Sequence, residues 1–504
     1  MTSNLRILAL TSRSAVACLA PAANLYWLDV GADWQLDGPD GRPVASGRSQ
    51  TVPLFLDGLE PATRYRLTTS VGSAEFRTTA CGGLVDLTQH GADPSADATE
   101  AFARAIAAVP PGGTLRVPAG RFTTGPVFLR SDMVLHLAHG AEIHARASRD
   151  GWPILPPRDD QGRVLGTWEG LPDACFASVL TGIGCRNLTI TGSGVIDGGG
   201  SRGDWWSWPK EARDGARRAR TIFLSRCDGV TISGVTVRNS PSWTVHPHQC
   251  RDLAVAAVHI ESPPDSPNTD GLDPESCRDV RVTGTRISVG DDCIAIKSGK
   301  RAPGGASQDH LAPTRDVVIE NCLLERGHGA VVIGSEMSGD VTDVTISRCS
   351  FIGTDRGLRI KTRRGRGGKV ARIHLRDVEM EGVATPLAIN AFYFCDPDGL
   401  SDAVQSRDPA PVGAETPTVS DISVGRVTAS NASHAGAAIL GLPEAPVRGV
   451  RLSRFAVSFR ADAVAEVPLM AACVPAMHHV PLYTDHAEVA GQVDLPQPLE
   501  SAPC

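Results

Sequence analysis

Nine short segments of this chain share one design: a β-branched strand, a turn of Gly, Asn or Ser, and a second short strand. They are Asn187 to Asp197, Gly229 to Asn239, Asp252 to Glu261, Asp279 to Val289, Asp316 to Glu325, Val344 to Gly353, Ile373 to Gly382, Ile422 to Ser430 and Val450 to Phe459. Their starts fall about 20–45 residues apart, and the longer gaps hold loops inserted on one side. A unit this short cannot bury its own apolar face, so the copies must stack into a solenoid. Helical periodicity is scarce and there is no leucine framework, which excludes helical and leucine-rich repeats and leaves a parallel β-helix. Strands of successive coils then lie about 4.8 Å apart, so residues one coil apart in sequence become neighbours in space.

The repeat does not reach the start of the chain. Residues 1–80 read as short alternating strands, Ala15 to Leu19, Leu25 to Val30, Thr51 to Leu56, Arg64 to Thr69 and Ser73 to Thr78, separated by Gly-, Pro- and Asp-rich turns. That pattern predicts a small β-sandwich. Leu59, Pro61, Thr63 and Tyr65 fall at every second position, a spacing that resembles the tyrosine corner of fibronectin type III modules; an ordinary strand with a buried Tyr is the alternative. After Cys81-Gly82-Gly83 one amphipathic helix is predicted over 96–108, capped by Asp97 or Thr99. The expected fold class is all-β, with domains at 1–80 and 81–504.

Bulk properties narrow the function. No stretch approaches the roughly 20 apolar residues that span a bilayer, so no membrane partner is expected. The net charge of −7 argues against nucleic acid, and a polyanionic substrate would need a local basic cluster to hold it. Ile7 to Leu10 is too short and too soon interrupted for a secretory leader, which needs about 7–15 apolar residues. Of the 13 cysteines, Cys185, Cys227, Cys250, Cys277, Cys322 and Cys349 begin or end similar segments, as stacked, buried thiols would. A cytoplasmic location is expected, with non-classical export as the alternative. No cofactor or metal is expected, and the oligomeric state is left open.

Four segments stand out against the repeat: Pro267-Asn268-Thr269-Asp270-Gly271, Gly290-Asp291-Asp292-Cys293, Gly327-His328-Gly329 and Arg359-Ile360-Lys361. Asp270 lies 21 and 22 residues before Asp291 and Asp292, close to one coil, so the three carboxylates should stack. Crowded carboxylates repel, which raises at least one pKa until that group keeps a proton while others stay ionised. A protonated acid beside an ionised base is what glycosidic hydrolysis requires. Singly, each Asp could serve a turn or face solvent; together with His328, Arg359 and Lys361 on following coils they predict a site.

In this order the four segments resemble the signature of the polygalacturonases, glycoside hydrolase family 28. The similarity extends through about 81–480, taking in Val117-Pro118-Ala119-Gly120, Gly192 to Gly198, Trp205-Trp206 and Asn239 to Trp243. It implies a right-handed β-helix that hydrolyses α-1,4-linked galacturonate with inversion. It further implies that Asp291 is the general acid and that Asp270 and Asp292 activate the water. His328 would hydrogen-bond within the acidic cluster, while Arg359 and Lys361 bind substrate, joined here by Asn268 and Lys297. A guanidinium and an ammonium suit a uronate better than a neutral sugar. Coil stacking alone sets some carboxylates about 5 Å apart, nearer the retaining than the inverting separation, so inversion comes from the resemblance.

Lys300, Arg363, Arg364 and Arg366 read either as a solvated turn or as further carboxylate subsites, and His246 and His248 either line the cleft or are buried. Two long segments, Arg149 to Phe176 and Asn390 to about Val419, can close one end of a groove, which with the sandwich resembles the bacterial exo-acting polygalacturonases. The expected substrate is a galacturonan or oligogalacturonide. Endo action, hydrolysis of a substituted galacturonan, a β-helix lyase and a non-catalytic carbohydrate-binding solenoid are the alternatives.

Overall fold

The structure, a computed structural model, describes residues 4–495. Residues 5–77 form two antiparallel sheets packed face to face. Leu5–Leu10, Ala15–Leu19 and Pro53–Leu56 make the first; Pro43–Thr51, Trp27–Asp37, Arg64–Thr69 and Gly72–Arg77 make the second. Leu19, Leu36, Leu67 and Phe76 fill the space between them, and the Tyr65 hydroxyl accepts the Glu60 N–H at 2.9 Å. Two of these strands escaped the sequence pattern. Leu5–Leu10 contains the apolar run Ile7 to Leu10 weighed as a leader, and Pro43–Thr51 exposes all of its residues but Ser49 and Thr51, so it carries no alternation.

From Leu84–Asp86 to Ala487–Ala490 the chain winds into a right-handed parallel β-helix. One continuous sheet of 20 strands takes two strands from most coils, and these merge into single bent strands such as Lys369–Glu381 in the later ones. The third face is a sheet of four strands ending at Val245–His248 and one of six beginning at Ile294–Ile296. Leu272 bridges the two, pairing with Val245 and with Ile294. The helix runs Thr99–Ala108, three residues shorter at its start than the sequence suggests, and its N-cap is Ala98 rather than Asp97 or Thr99; the Asp97 carboxylate still accepts the Thr99 N–H at 2.8 Å, just ahead of the first turn.

Register explains why the repeat is visible in sequence. Leu188, Val230, Leu253, Val280, Val317, Val344, Ile373 and Ile422 stack one per coil into the core. The residue before each has positive φ: Asn187, Gly229, Asp252, Asp279, Asp316, Asp343, Arg372 and Asp421. Asn, Asp and Gly tolerate this left-handed turn best, so they open nearly every unit. Cys185, Cys227, Cys250 and Cys277 are unpaired and buried in another such column. The N–H of Cys227 donates to Cys250 Sγ and that of Cys250 to Cys277 Sγ, both at 3.4 Å, and Thr314 Oγ1 takes the Cys277 N–H at 3.0 Å.

The sandwich lies along the flank of the helix, on the turns joining the two strands of each coil. Asp57 accepts from Ser193 at 3.1 Å and meets His136 at 2.8 Å, and Asn321 donates to the carbonyls of Pro21, Asn24 and Leu25 at 2.8–3.1 Å. The approach is close enough to demand glycine: a Cβ on Gly284 would sit 2.6 Å from Pro53, and one on Gly234 2.5 Å from Phe55. Alkylation of the native protein should modify the exposed Cys395 and Cys473 and leave Cys227, Cys250 and Cys277 untouched until denaturant is added, as peptide mapping by mass spectrometry would record.

Candidate active site

The site sits where the third face changes from four strands to six. Leu272 pairs with Ile294, Ile294 with Val331 and Val331 with Leu358. Counting back along each strand sets Asp270 beside Asp292, and sets Asp291, His328 and Asp355 in one column. One oxygen from each of Asp270, Asp291 and Asp292 lies within 4.8 Å of the others. The cleft above them has a volume of about 380 Å³.

The neighbours of the three acids make them chemically different. Asp292 is fully buried, which alone would raise its pKa, but Lys361 Nζ at 2.6 Å and Arg359 Nη1 at 3.3 Å outweigh burial and hold it down at about 2. Asp270 goes the other way: burial, then the Asp291 charge, push it up to about 8, with Lys297 Nζ only partly compensating from 3.7 Å. Asp291 is also raised, by burial and by the Asp292 charge. Lys297 itself is buried among Asp270, Asp273 at 3.5 Å and Glu336 at 3.1 Å, and lies 4.6 Å from the Trp243 ring centroid.

Several expected contacts differ from those observed. The His328 imidazole Nδ1 pairs with Asp355 at 2.9 Å rather than within the acid cluster, and the backbone N–H of His328 donates to the Asp291 carbonyl at 3.2 Å. Asp355 is one coil further on, in register with His328, and its hydrogen bond raises the His328 pKa. Asp270 and Asp292 are not an equivalent pair, because both strong cation contacts go to Asp292. Arg359 and Lys361 line the cleft, yet both are engaged with that carboxylate. Asn268 lines it too, its side-chain oxygen accepting from Arg218 at 2.5 Å.

The basic run is neither a solvated turn nor a set of free subsites. Asp396, in the inserted loop after Asn390, takes Lys300 at 2.7 Å, Arg366 at 2.6 Å and Arg363 at 3.4 Å. Arg363 also forks onto Asp398, and Arg364 onto Glu444. These cations pin the loop that brings Tyr393, Cys395 and Asp396 to the cleft. Within the segment 149–176, Ile154–Leu155 pairs with Cys175–Phe176, and inside that pair the hairpin Thr167–Pro172 delivers Glu169 at its tip, while Lys210 and Met470 arrive from two further loops. His246 and His248 are buried behind Trp243, and burial lowers both pKa values, that of His248 to about 4.

Sequence reasoning missed Asp273, Glu336, Asp355, Glu169 and Lys210. Asp355 was hidden by unequal coil lengths, and Glu169 and Lys210 by lying in loops, where register gives no guide. No residue of 4–80 is among those lining the cleft.

The family description "Glycosyl hydrolases family 28" matches residues 166–473, which contain the whole of this cleft. The chain belongs to that family. A Vitis vinifera protein named "Probable polygalacturonase" is 34% identical over 70% of this chain and 68% of its own. Among solved structures, an exopolygalacturonase from Thermotoga maritima is 27% identical with a TM-score of 0.61, covering 76% of this chain and 89% of its own. A family 28 exopolygalacturonase from Yersinia enterocolitica shares the fold at a TM-score of 0.67 and 19% identity, over 97% of this chain and 99% of its own, so the overlap takes in the sandwich as well.

The raised pKa of Asp270 ties the stability of the fold to pH. The native protein holds this proton up to about pH 8, whereas an unfolded Asp releases it near about 3.9. Stability from this group is therefore fully present below about pH 4 and is lost as pH rises through about 8. Asp270→Asn should lose less thermal stability than the wild type across that window, measured as Tm against pH.

Proposed function

We propose that the protein hydrolyses α-1,4-galacturonosidic bonds of polygalacturonate or oligogalacturonides, from the chain end and with inversion. The observation that carries this reading is the uneven placement of cations in a cluster of three close acids: Lys361 at 2.6 Å and Arg359 at 3.3 Å both pair with Asp292. Asp291, whose pKa is raised, keeps a proton to give to the leaving glycosidic oxygen, and Asp292, held ionised by Lys361 and Arg359, takes one from the attacking water. Asp270, which holds its own proton up to about pH 8, hydrogen-bonds and positions the water that Asp292 deprotonates; the proton gained by Asp292 then passes to Asp291, which gave one to the leaving group, and the starting states are restored. Arg359 and Lys361 serve twice: each keeps Asp292 charged and presents a cation to a substrate carboxylate. His328, oriented by Asp355, adds a positive charge beside Asp291.

The exo reading is supported by the insertions that wall the cleft and by the likeness to the Thermotoga exopolygalacturonase. Nearest oxygens within 4.8 Å lie under the roughly 6.5–9.5 Å usual between inverting carboxyl groups, so the anomer released is a direct test. Residues 1–80 are read as a fibronectin type III-like module, supported by the three- and four-stranded sheets and the Tyr65 hydrogen bond. A cytoplasmic enzyme acting on imported oligomers suits the column of unpaired thiols, with non-classical export as the other route.

Incubation with saturated oligogalacturonides should release monomer of inverted configuration, followed by proton NMR, and Asp291→Asn should cut the rate by at least about 100-fold. Early random oligomers would make the enzyme endo-acting, and ultraviolet absorbance from unsaturated products would make it a lyase. No hydrolysis of any galacturonan would overturn the substrate.

A further inference from the structure

Two residues that line the cleft take no part in the chemistry above. Glu169 and Lys210 come from different insertions, yet their charged atoms meet at 3.5 Å inside the same cavity as Asp291. Glu169 is at the tip of the two-residue hairpin between Thr167–Trp168 and Leu171–Pro172. Its φ of 44° and that of Gly170 at 80° are the left-handed pair such tight hairpin turns use.

The tip is fixed. The Gly170 carbonyl accepts the Lys300 N–H at 2.9 Å, and a Cβ on Gly170 would come within 2.5 Å of Lys300 N and 2.9 Å of the Glu336 side chain. Behind the tip, Trp168 stacks on Trp243 at 6.1 Å with 6° between ring planes. The hairpin is thus pressed onto the cleft floor, and its acid is presented by a rigid element rather than a mobile loop. By contrast the Glu169–Lys210 contact is long and both side chains are partly open to solvent, at 30% and 54%. Neither group is spent on the other as Lys361 is on Asp292.

We infer that Glu169 and Lys210 together recognise the non-reducing end of the galacturonan chain, an assignment that rests on the function proposed above. The chemistry is specific to that end. In every internal residue O4 carries the glycosidic bond; only the terminal ring has a free 4-hydroxyl, on the carbon next to the one bearing the carboxylate. A cation beside a hydrogen-bond acceptor matches that neighbouring pair, with Lys210 meeting the carboxylate and Glu169 accepting from the 4-hydroxyl. An internal residue would offer Glu169 an ether oxygen and no proton, leaving the acid unsatisfied inside the cleft. The same wall would then both block chain passage and select the correct terminus.

The test compares kcat/KM on saturated trigalacturonate with that on the Δ4,5-unsaturated trimer, which keeps the charge and lacks the terminal 4-hydroxyl. The wild type should prefer the saturated trimer by at least about tenfold, since a site built around a hydroxyl rejects the analogue without it. Glu169→Ala should bring that ratio close to one, and Lys210→Ala should raise KM on both trimers by about tenfold. Thermal melts of both variants check folding. Equal rates on the two trimers in the wild type, an unchanged ratio in Glu169→Ala, or an unchanged KM in Lys210→Ala would overturn the assignment. A wild type that hydrolyses neither trimer would refute the galacturonan reading itself, and the assignment with it.

Discussion

Parallel, in-register stacking of the coils is the constraint on which everything else in this molecule depends. Backbone hydrogen bonds hold successive strands about 4.8 Å apart, and once one pair is in register every position of the coil becomes a column. Columns of Val, Ile and Leu make the core, a column of Asn, Asp and Gly makes the left-handed turns, and a column of thiols fills a corner. The same rule that buries apolar side chains so well also forces acids to stack on acids. Asp270 meets Asp292, with Asp291 beside them, because the register leaves them nowhere else to go.

That conflict is the source of the chemistry. Five acids, Asp270, Asp273, Asp291, Asp292 and Glu336, share this region with Lys297, Arg359 and Lys361. The cations are unevenly placed. Lys361 and Arg359 both bond Asp292, and Lys297 sits nearest Glu336, so those two carboxylates are held ionised while Asp270, Asp273 and Asp291 are pushed upward by burial and by their charged neighbours. With the cations concentrated on Asp292 and Glu336, the protons of the cluster are drawn towards Asp270, Asp273 and Asp291. Acid and base therefore coexist a few ångströms apart without any external group setting their states.

What the sequence discloses follows the same logic. The fold was legible because each coil repeats its turn residue and its core residues, and Asp270 could be placed beside Asp291 and Asp292 because that coil carries no insertion. Where loops lengthen a coil the arithmetic fails. His328 is 37 residues from Asp291 yet its stacked neighbour, and Asp355, 27 residues further, went unnoticed. Arg363, Arg364 and Arg366 were correctly seen as a basic run, but their acids lie on a loop whose path no spacing rule predicts. The strand Pro43–Thr51 had no apolar alternation to betray it.

The coils and the insertions consequently answer different questions. Register fixes which carboxylates meet, and so which bond-breaking chemistry is possible; it is insensitive to what the loops do. The loops decide which part of a polymer reaches those carboxylates, and here they are tied down by buried or half-buried ion pairs and by aromatic stacking rather than left free. A wall that selects a chain end has to be stiff, because an acceptor that can swing aside would tolerate an internal residue. On the proposed reading, the ion pairs around Asp396 and the stacking of Trp168 on Trp243 supply that stiffness.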